Sequence, residues 1–385
     1  MGKNYTALGL MSGTSMDGVD ASIIRSDGLN QYHNIFDEYS EFDTNLHAKL
    51  VSLRNKVFSK ADLIEFSDEL KILERELTVF HNKTANKLAE RYKKSTGEDI
   101  DLIGFHGQTI FHDPKSKITK QLGDGKLLSQ LIKKIVVYDF RQNDLKNGGQ
   151  GAPLTPVFHN LLANFIFNKN KCSFSNILNI GGISNITNTV KDSDYLKKNI
   201  EAFDVGPGNC LIDEWIRKNS DKRFDKSGLI ARSGMVNQLI LNQAIENFKF
   251  SSYNKSLDVK DFDISFVRGL SLEDGCATIT NFTAYLIAEG IKFSYKKNNE
   301  SPSKYLICGG GRKNKFLIET IEYYLNNYEN ITLDSIDLYN HNGDFIESQA
   351  FGYLAIRSYL GLPITFPYTT GCKNPTTGGE IIKNF

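Results

Sequence analysis

The stretch Gly9-Leu-Met-Ser-Gly-Thr-Ser-Met-Asp-Gly-Val-Asp20 joins two predicted strands through a turn that is rich in glycine and in hydroxyl groups. The segment before the turn is mostly apolar, and the segment from Val19 to Ile24 alternates between apolar and polar residues, so the pattern predicts a β-hairpin. Gly13 and Gly18 permit a positive φ and a close approach of the backbone to a ligand, so the turn can present its N–H groups to an anion. An ordinary glycine-rich hairpin explains the same residues, and the Gly-Lys-Ser/Thr signature of a Walker loop is missing.

Length and composition favour a two-domain protein that binds small molecules. A chain of 385 residues is long enough for two domains of ordinary size. Its 46 Lys and Arg residues balance its 45 Asp and Glu residues, which gives no electrostatic reason to expect nucleic acid or an acidic membrane surface as a partner. The N-terminus lacks the apolar run of a signal peptide, and no later segment of the sequence reads as a membrane span. We therefore expect a cytoplasmic protein without membrane contacts.

The cysteines predict neither a disulfide framework nor a zinc site. Their number is odd, they lie far apart, and no two of them form a Cys-x-x-Cys pair. We expect reduced thiols that serve as small core residues. The five cysteines are Cys172, Cys210, Cys276, Cys308 and Cys372.

Glycine-rich turns follow predicted strands in both halves of the chain, and segments with helical spacing alternate with those strands. One such turn is weak evidence, but five at strand ends predict a nucleotide held between two α/β domains. A Rossmann oxidoreductase is disfavoured because Gly309-Gly-Gly311 lacks the Gly-x-Gly-x-x-Gly spacing and lies late in the chain. The turns lie at 13–18, 148–151, 181–182, 206–208 and 309–311.

Asp204 is the candidate general base. It lies at the end of an apolar strand between Phe203 and Val205, and a Gly-Pro-Gly turn follows it, so a ligand can approach where water is restricted. A carboxylate that caps the turn or the following helix is the competing interpretation. Asp17 also has two interpretations, since it can contact a metal ion or a metal-bound water, or it can hold its own turn.

Polar residues near predicted strand and helix ends are candidates for substrate contacts. Arg141 can clamp an anionic group, or it can pair with Asp139 or Asp144 as a structural bridge. Glu347 opens a predicted helix, where a role at the helix N-terminus competes with substrate binding. The candidate substrate-binding residues are His106, Gln108, Arg141 and Glu347.

Two histidines in one predicted strand raise the question of a metal site. His106 and His112 are six residues apart, so both would face the same way on a straight strand. Because no set of carboxylates lies nearby, we favour two hydrogen-bonded polar residues over a pair of metal ligands.

Seven ordered motifs together resemble the anhydro-N-acetylmuramic acid kinases, which belong to the superfamily of sugar kinases, actin and heat-shock ATPases. The resemblance covers the chain. The motifs are Gly9–Asp20, His106-Gly-Gln-Thr109, Asp139-Phe-Arg141, Gly148-Gly-Gln-Gly-Ala-Pro153, Asn179-Ile-Gly-Gly-Ile-Ser-Asn185, Phe203-Asp-Val-Gly-Pro-Gly-Asn209 and Cys308-Gly-Gly-Gly311, followed by Glu347.

The resemblance implies a two-lobed, actin-like α/β fold with ATP and Mg²⁺ in the interdomain cleft, each lobe being a mixed five-stranded sheet with flanking helices. We expect an N-terminal lobe of residues 1–143 plus 361–385 and a C-terminal lobe of residues 144–360. The implied ATP-binding residues form a first phosphate loop, a second phosphate turn and an adenosine region. They are Gly13, Thr14, Ser15, Met16, Asp17, Gly18, Val19 and Asp20, then Gly181 and Gly182, then Gly309, Gly310 and Gly311.

The resemblance also implies a reaction. Asp204 matches the catalytic aspartate of the family, which opens the 1,6-anhydro bridge of anhydro-N-acetylmuramic acid with water and phosphorylates O6. The product is N-acetylmuramic acid 6-phosphate, formed in cell-wall recycling. We expect an anhydro-sugar as the partner, no dedicated metal site, Mg²⁺ carried by ATP with Asp17 as its candidate contact, and a homodimer.

Two segments depart from the family pattern. Lys255-Ser-Leu-Asp-Val-Lys-Asp-Phe262 stands where a Lys-Ser-Thr-Gly-Arg-Glu-x-Phe run is expected, and Pro367-Tyr-Thr-Thr-Gly-Cys372 stands where Pro-Ser-x-Thr-Gly-Ala is common. We expect neither segment to touch Asp204 or the phosphate loops, so the departures bear on sugar fit or on a neighbouring contact rather than on ATP use. The alternatives are a non-enzymatic ATP-dependent module of the actin type and a metal-dependent member of the superfamily, which would use His106 and His112 as ligands.

Overall fold

The computed structural model describes residues 3–170, 175–189, 200–248, 253, 256–298 and 301–383. The chain divides into two compact units. Unit 1 comprises Met1–Phe165, Val190–Glu201 and Phe345–Phe385, and unit 2 comprises Ile166–Thr189 and Ala202–Asp344. These bounds differ from the expected division after residues 143 and 360, because the segments 144–165 and 345–360 both pack within unit 1.

Strands and helices alternate along the described residues, as the hydrophobic spacing of the sequence predicts. The strands are β1 (Tyr5–Ser12), β2 (Gly18–Ser26), β3 (Tyr32–Glu41), β4 (Leu102–Asp113), β5 (Ile118–Leu122), β6 (Ile135–Tyr138), β7 (Ser175–Ile180), β8 (Ile183–Asn188), β9 (Glu201–Pro207), β10 (Ser303–Cys308), β11 (Ile331–Ser335) and β12 (Glu380–Ile382). The α-helices are α1 (Thr44–Arg54), α2 (Lys60–Glu65), α3 (Ser67–Thr96), α4 (Gly125–Ile132), α5 (Gln142–Lys146), α6 (Pro156–Asn170), α7 (Cys210–Asn219), α8 (Leu229–Ser233), α9 (Gln238–Asn247), α10 (Leu272–Lys297), α11 (Lys315–Tyr324), α12 (Ile346–Tyr359) and α13 (Pro367–Thr370). Short 3₁₀ segments lie at Lys226–Gly228, Val259–Asp261, Ser265–Val267, Gly310–Lys313 and Ile336–Tyr339.

The sheet of unit 1 is larger than expected. Over the described residues it has seven strands, in the order β12-β6-β4-β1-β2-β3 with β5 paired to β4, so the expectation of five strands is wrong for this unit. The two additional strands are β5 and β12, which are antiparallel to β4 and β6 respectively. The other five strands are an antiparallel meander of β1, β2 and β3 with β4 and β6 added in parallel.

The sheet of unit 2 has the expected five described strands, in the order β11-β10-β7-β8-β9. Strand β8 is antiparallel to β7, and β10 and β11 continue the sheet in parallel on the other side. This strand order is the same as that of the five-stranded part of unit 1, so each unit is a mixed α/β sheet of one topology. In both units the carboxyl ends of the parallel strands lie at one edge of the sheet, which is where α/β folds bind ligands.

Helix α12 packs unusually close to the sheet of unit 1. A methyl group added at Gly9 in β1 would lie 1.9 Å from the carbonyl oxygen of Ser348, and one added at Gly104 in β4 would lie 2.1 Å from that of Phe351. Glycine at these two positions therefore brings the helix backbone against the strands. This contact explains why the segment 345–360 belongs to unit 1.

The structure shows the state of the cysteines and whether a helix could span a membrane. Cys210, Cys276, Cys308 and Cys372 are free and buried, and Cys172 lies outside the described residues. No helix in the described part of the chain is both long and apolar enough to cross a membrane.

Candidate active site

The turn between β1 and β2 is closed by a backbone hydrogen bond and anchored in the core of unit 1. Met16 adopts a positive φ of 56°, and its buried side chain is part of the core of unit 1. This packing anchors the turn to the core. The Met16 amide donates to the carbonyl of Gly13 at 3.1 Å, which closes the turn. Thr14 and Ser15 are exposed, and within the described residues their amides have no hydrogen-bond acceptor. The loop therefore offers backbone donors at its tip.

The remaining residues of this loop divide between ligand-facing and structural positions. The Asp17 carboxylate accepts a hydrogen bond from the Ser15 hydroxyl at 2.7 Å, so the two side chains lie together at the tip. Gly18 is required by packing, since an added methyl group would lie 2.5 Å from the carbonyl oxygen of Ser40. Val19 is buried in the core, and Asp20 is half-buried in β2, opposite Met11.

Gln108, predicted to bind substrate, holds the first phosphate loop. Its buried side chain accepts a hydrogen bond from the Ser12 hydroxyl at 2.9 Å and donates from Nε2 to the Gly13 carbonyl at 3.0 Å. The same Ser12 hydroxyl also lies 2.9 Å from the Gly18 carbonyl oxygen, across the base of the turn. Both ends of the Gln108 amide are thus used to shape the loop.

The buried His106 and the half-buried Arg141 form a hydrogen-bonded pair in unit 1. The His106 Nε2 atom accepts from Arg141 Nη2 at 2.9 Å and from Nε at 3.2 Å, and Nδ1 lies 2.8 Å from the Gly107 carbonyl oxygen. Burial, together with the charge of Arg141, lowers the pKa of His106 well below its usual range, so the imidazole is neutral. Arg141 Nη1 also donates to the Gly151 carbonyl at 2.8 Å, so the guanidinium has a fixed orientation.

Asp144 fixes the glycine loop at 148–151. The sequence suggested this residue only as a partner of Arg141. Asp144 is buried, and its carboxylate accepts from the Gly151 amide at 2.7 Å and from the Thr370 hydroxyl at 2.6 Å. The Gln150 amide donates to the Thr370 carbonyl at 2.8 Å. The C-terminal segment that departs from the family pattern therefore supports this loop.

Glu347 and His112 complete the candidates in unit 1. Glu347 lies half-buried in the first turn of α12. His112 Nδ1 lies 3.1 Å from the Thr119 hydroxyl, and burial followed by the charge of Arg141 lowers the pKa of His112 to about 4. No group of three or more potential metal ligands occurs among the residues that the structure describes.

Asp204 lies in β9 of unit 2 and is buried. Its Oδ2 atom accepts a hydrogen bond from the Leu257 amide at 2.8 Å and one from the Ser256 hydroxyl at 3.3 Å. Both donors come from the segment Lys255–Phe262, which departs from the family pattern after Ser256, so the expectation that this segment does not touch Asp204 is wrong. Lys255 of that segment lies outside the described residues.

The second phosphate turn, Gly181–Gly182, is hydrogen-bonded to the turn that follows β9. The carbonyl of Gly181 accepts from the Asn209 amide at 2.8 Å, and that of Gly182 accepts from the Gly208 amide at 2.8 Å. A methyl group added at Gly208 would lie 2.1 Å from the Gly181 carbonyl oxygen, so only glycine fits there. The two glycine motifs that the sequence treats separately are therefore one structural unit at the edge of the sheet.

The Gly309–Gly311 turn lies beside that unit. Gly309 has φ of 80°, and an added methyl group would lie 2.5 Å from the Ile180 carbonyl oxygen. Gly310 is exposed and faces Asn209, whose Nδ2 atom would lie 3.5 Å from an added methyl group. The adenosine region and the second phosphate turn thus meet at the carboxyl ends of β7 and β10.

A buried arginine fixes the Gly309 turn. Arg312 binds Asp337 with both Nε, at 2.7 Å, and Nη2, at 3.1 Å, and its Nη1 donates to Asp344 at 2.6 Å and to the Gly309 carbonyl at 3.0 Å. Burial opposes ionisation of Asp337, but the bonds from Arg312 and the Gly343 amide outweigh it and lower the pKa of Asp337 to about 2. Gly343 also accepts from the Gly309 amide at 3.0 Å.

Taken by itself, each unit has predicted residues that suit part of a nucleotide or its magnesium ion. Glycines at three of the predicted positions have room around them, since an added methyl group would meet no atom within about 3.5 Å at Gly13, Gly181 or Gly310. Such open backbone lets a phosphate or a sugar approach closely. The hydroxyl and carboxylate oxygens of Ser15 and Asp17 are the donor type that Mg²⁺ prefers.

Comparison with known proteins places this chain in a family. A family model described as anhydro-N-acetylmuramic acid kinase matches residues 5–384. The anhydro-N-acetylmuramic acid kinase of Pelagibacter ubique (strain HTCC1062) is 51% identical over 388 residues, which cover 100% of this chain and 100% of that protein. The kinase of the same name from Agrobacterium fabrum (strain C58 / ATCC 33970) is 37% identical over 390 residues, again with 100% of both chains covered. This chain belongs to the anhydro-N-acetylmuramic acid kinase family.

Solved structures similar to this family member are distant in sequence. The activator of the 2-hydroxyisocaproyl-CoA dehydratase from Clostridium difficile with bound ADPNP is 12% identical, with a TM-score of 0.40 over 92% of this chain and 96% of that chain. A hexokinase from Schistosoma mansoni complexed with glucose is 11% identical, with a TM-score of 0.42 over 91% of this chain and 85% of that chain.

Sequence reasoning missed three supporting residues of this kinase-family site. Arg312 directly follows the glycine turn, Ser256 stands in a segment considered only for its departures, and Asp144 precedes a glycine loop. For Arg312 and Asp144, a charged residue close to a glycine-rich turn was the available signal, whereas no glycine-rich turn marks Ser256. This signal does not identify the distant partners, which are Asp337 and Asp344 for Arg312 and Thr370 for Asp144.

Proposed function

We propose that this chain is an ATP-dependent kinase that opens the 1,6-anhydro bridge of anhydro-N-acetylmuramic acid with water and phosphorylates O6. The product would be N-acetylmuramic acid 6-phosphate, and the role would be in cell-wall recycling. The observation that carries the proposal is the full-length match to proteins of that name at up to 51% identity. The buried, hydrogen-bonded carboxylate of Asp204 supplies the group that the chemistry needs.

Asp204 is proposed as the general base. Water is a poor nucleophile toward the anomeric carbon unless a base takes its proton, and a carboxylate beside the sugar does this. When the bridge opens, O6 becomes the acceptor of the phosphoryl group, so one carboxylate serves both events. The amide and hydroxyl donors on Oδ2 favour the ionised carboxylate that a base requires.

The glycine-rich turns are proposed to hold ATP. The loop at 13–17 and the turn at Gly181–Gly182 would bind phosphate oxygens through backbone N–H groups, and Gly309–Gly311 would lie against the adenosine. ATP supplies the phosphoryl group, and Mg²⁺ neutralises charge on it. Asp17, with Ser15 beside it, is the proposed contact for the magnesium ion or its bound water.

Arg141, His106 and Glu347 are proposed to bind the sugar. The substrate carries a carboxylate on its lactyl group, and a guanidinium is suited to binding such a group. The neutral His106 and the Gly151 carbonyl orient Arg141 without adding negative charge. We also propose a cytoplasmic location, where ATP is available, and the homodimer remains a prediction.

A product assay in oxygen-18 water tests the proposal. Protein, ATP, Mg²⁺ and anhydro-sugar should give a phosphorylated sugar with one label at C1 and none in the phosphate, because water attacks C1 and O6 attacks phosphorus. The configuration at C1 should be inverted if the attack is a single displacement. Asp204→Asn keeps the shape of the side chain but cannot take a proton, so turnover should fall by about 10³-fold.

Two controls make this assay decisive. Asp263→Asn changes an exposed aspartate of unit 2 and should leave turnover unchanged. Unlabelled product kept in the same water measures the exchange of the anomeric oxygen. Label in the phosphate, or preferred turnover of a plain reducing sugar, would indicate an ordinary kinase, and ATP hydrolysis without any sugar product would indicate a conformational ATPase.

A further inference from the structure

The Asp204 carboxylate is held by the chain segment that follows residue 255. The Leu257 amide and the Ser256 hydroxyl both donate to the same oxygen, Oδ2, at 2.8 and 3.3 Å. These donors lie 53 and 52 residues away from Asp204 in the sequence. Two donors on one oxygen prevent the carboxylate from rotating unless both bonds are lost.

The donor segment is held by hydrogen bonds of its own and by aromatic packing. The Asp258 amide donates to Asp261 at 2.8 Å, and the Lys260 amide donates to Asp258 at 3.0 Å, so the 3₁₀ turn Val259–Asp261 is capped by side chains. At its end the Phe262 ring stacks on Phe248, with centroids 5.4 Å apart and planes 18° from parallel. The pair of donors therefore begins a short segment that is anchored to the core of unit 2.

We infer that Ser256 is a positioning residue for the proposed base, and that it acts with the Leu257 amide to orient Asp204 and to favour its ionised form. The inference rests on the role proposed for Asp204. It also accounts for the departure at Leu257, because the contact at this position is made by the backbone amide and tolerates any side chain except that of proline. Only the hydroxyl at position 256 depends on the identity of the residue.

The pH dependence of turnover tests this inference. Removing a donor from a carboxylate destabilises its charged form and raises its pKa. The acidic limb of the kcat profile should therefore move to higher pH by about 0.5 to 1 unit in Ser256→Ala, and kcat at its plateau should fall about 3- to 10-fold. The KM values for sugar and ATP should stay within about twofold of wild type, because Ser256 is proposed to act on Asp204 and not on the ligands.

Two further variants separate positioning from a general loss of structure. Ser256→Thr keeps the hydroxyl and should restore the wild-type profile. Ser116→Ala removes a serine that also donates to an aspartate, Asp113, but in an exposed turn of unit 1, and it should leave the profile unchanged. A Ser256→Ala profile that superimposes on that of wild type would overturn the inference, as would a Ser256→Thr profile that matches Ser256→Ala.

A measurement that does not depend on catalytic activity separates a failure of this inference from a failure of the proposed function. Carboxyl ¹³C NMR of protein labelled at aspartate, assigned with Asp204→Asn, should show a higher pKa for Asp204 in Ser256→Ala than in wild type. That result in a protein without sugar kinase activity would support the positioning role and refute the proposed function. Wild-type kinase activity with an Asp204 pKa that is the same in both proteins would refute the positioning role alone.

Discussion

At the scale of single residues, Arg312 carries more contacts than any sequence motif suggests. Its side chain is 4% exposed and binds Asp337, Asp344 and the Gly309 carbonyl. Arg312→Met would leave Asp337 without its cation and Asp344 with Lys313 as its remaining cation, and we expect a loss of about 2 to 4 kcal/mol in the free energy of unfolding, allowing for partial screening of Asp337 by water. Urea unfolding at pH 7 measures this loss.

A matched arginine in the same unit provides the control. Arg232 pairs with Glu319 at 2.5 Å, but their side chains are 45% and 53% exposed. Arg232→Met should cost less than about 1 kcal/mol, since an exposed ion pair contributes little. Equal losses in the two variants would show that the Arg312 network does not stabilise the turn.

At the scale of elements, the position of α12 depends on glycines in the strands beneath it. A methyl group in Gly104→Ala would lie 2.1 Å from the Phe351 carbonyl oxygen and 3.0 Å from the Ala355 side chain, so the helix must move away from β4. We expect a loss of about 2 to 3 kcal/mol in the free energy of unfolding, as for an overpacked core. Thermal or urea unfolding of the purified variant gives the value.

The variant Gly97→Ala introduces backbone strain without a steric clash, so it is the control for Gly104→Ala. Gly97 ends α3 with φ of 75°, and an added methyl group would meet no atom within 4 Å. The expected loss in the free energy of unfolding comes from the left-handed backbone alone and is about 1 kcal/mol. If Gly104→Ala is no more destabilising than Gly97→Ala, the helix is not in the close contact described.

At the scale of the whole molecule, buried histidines set the response to acid. Burial lowers the pKa of His81 to about 4 and that of His159 to about 3, and His106 and His112 are lowered as well. All four lie in unit 1 and are neutral in the folded state, whereas an unfolded chain binds protons below about pH 6.5. Their contribution to stability is therefore complete above about pH 6.5 and is lost as the pH falls toward 4.

His81→Leu should reduce this acid sensitivity. His81 Nδ1 lies 2.9 Å from the Leu77 carbonyl oxygen, its ring packs on Phe105, and its buried Nε2 atom has no hydrogen-bond partner among the described residues. The loss of unfolding free energy between pH 7.5 and 4.5 should be smaller in the variant by about 2 to 3 kcal/mol. Urea midpoints that fall in parallel for variant and wild type over this range would contradict the assignment.

The sequence by itself determined the features that depend on neighbouring residues. The glycine-rich turns and the alternation of strand and helix patterns predicted two α/β domains, and the apolar and alternating segments on either side of the turn in Gly9–Asp20 predicted the hairpin that the structure contains. Asp204 was expected on an apolar strand, and it lies in β9, but the expectation that the strand ends there is wrong because β9 continues through Gly206 and Pro207. These features are local because backbone conformation and the two side-chain periods are set by a few consecutive residues.

Only the tertiary structure decided which side chains meet. Gln108 holds a turn 95 residues away, and Ser256 reaches Asp204 across 52 residues. The strand β12 enlarges the first sheet by pairing with β6, although more than 200 residues separate them. Such contacts arise when the chain brings distant segments to one sheet edge, and no local pattern records which partner a buried polar group will find there.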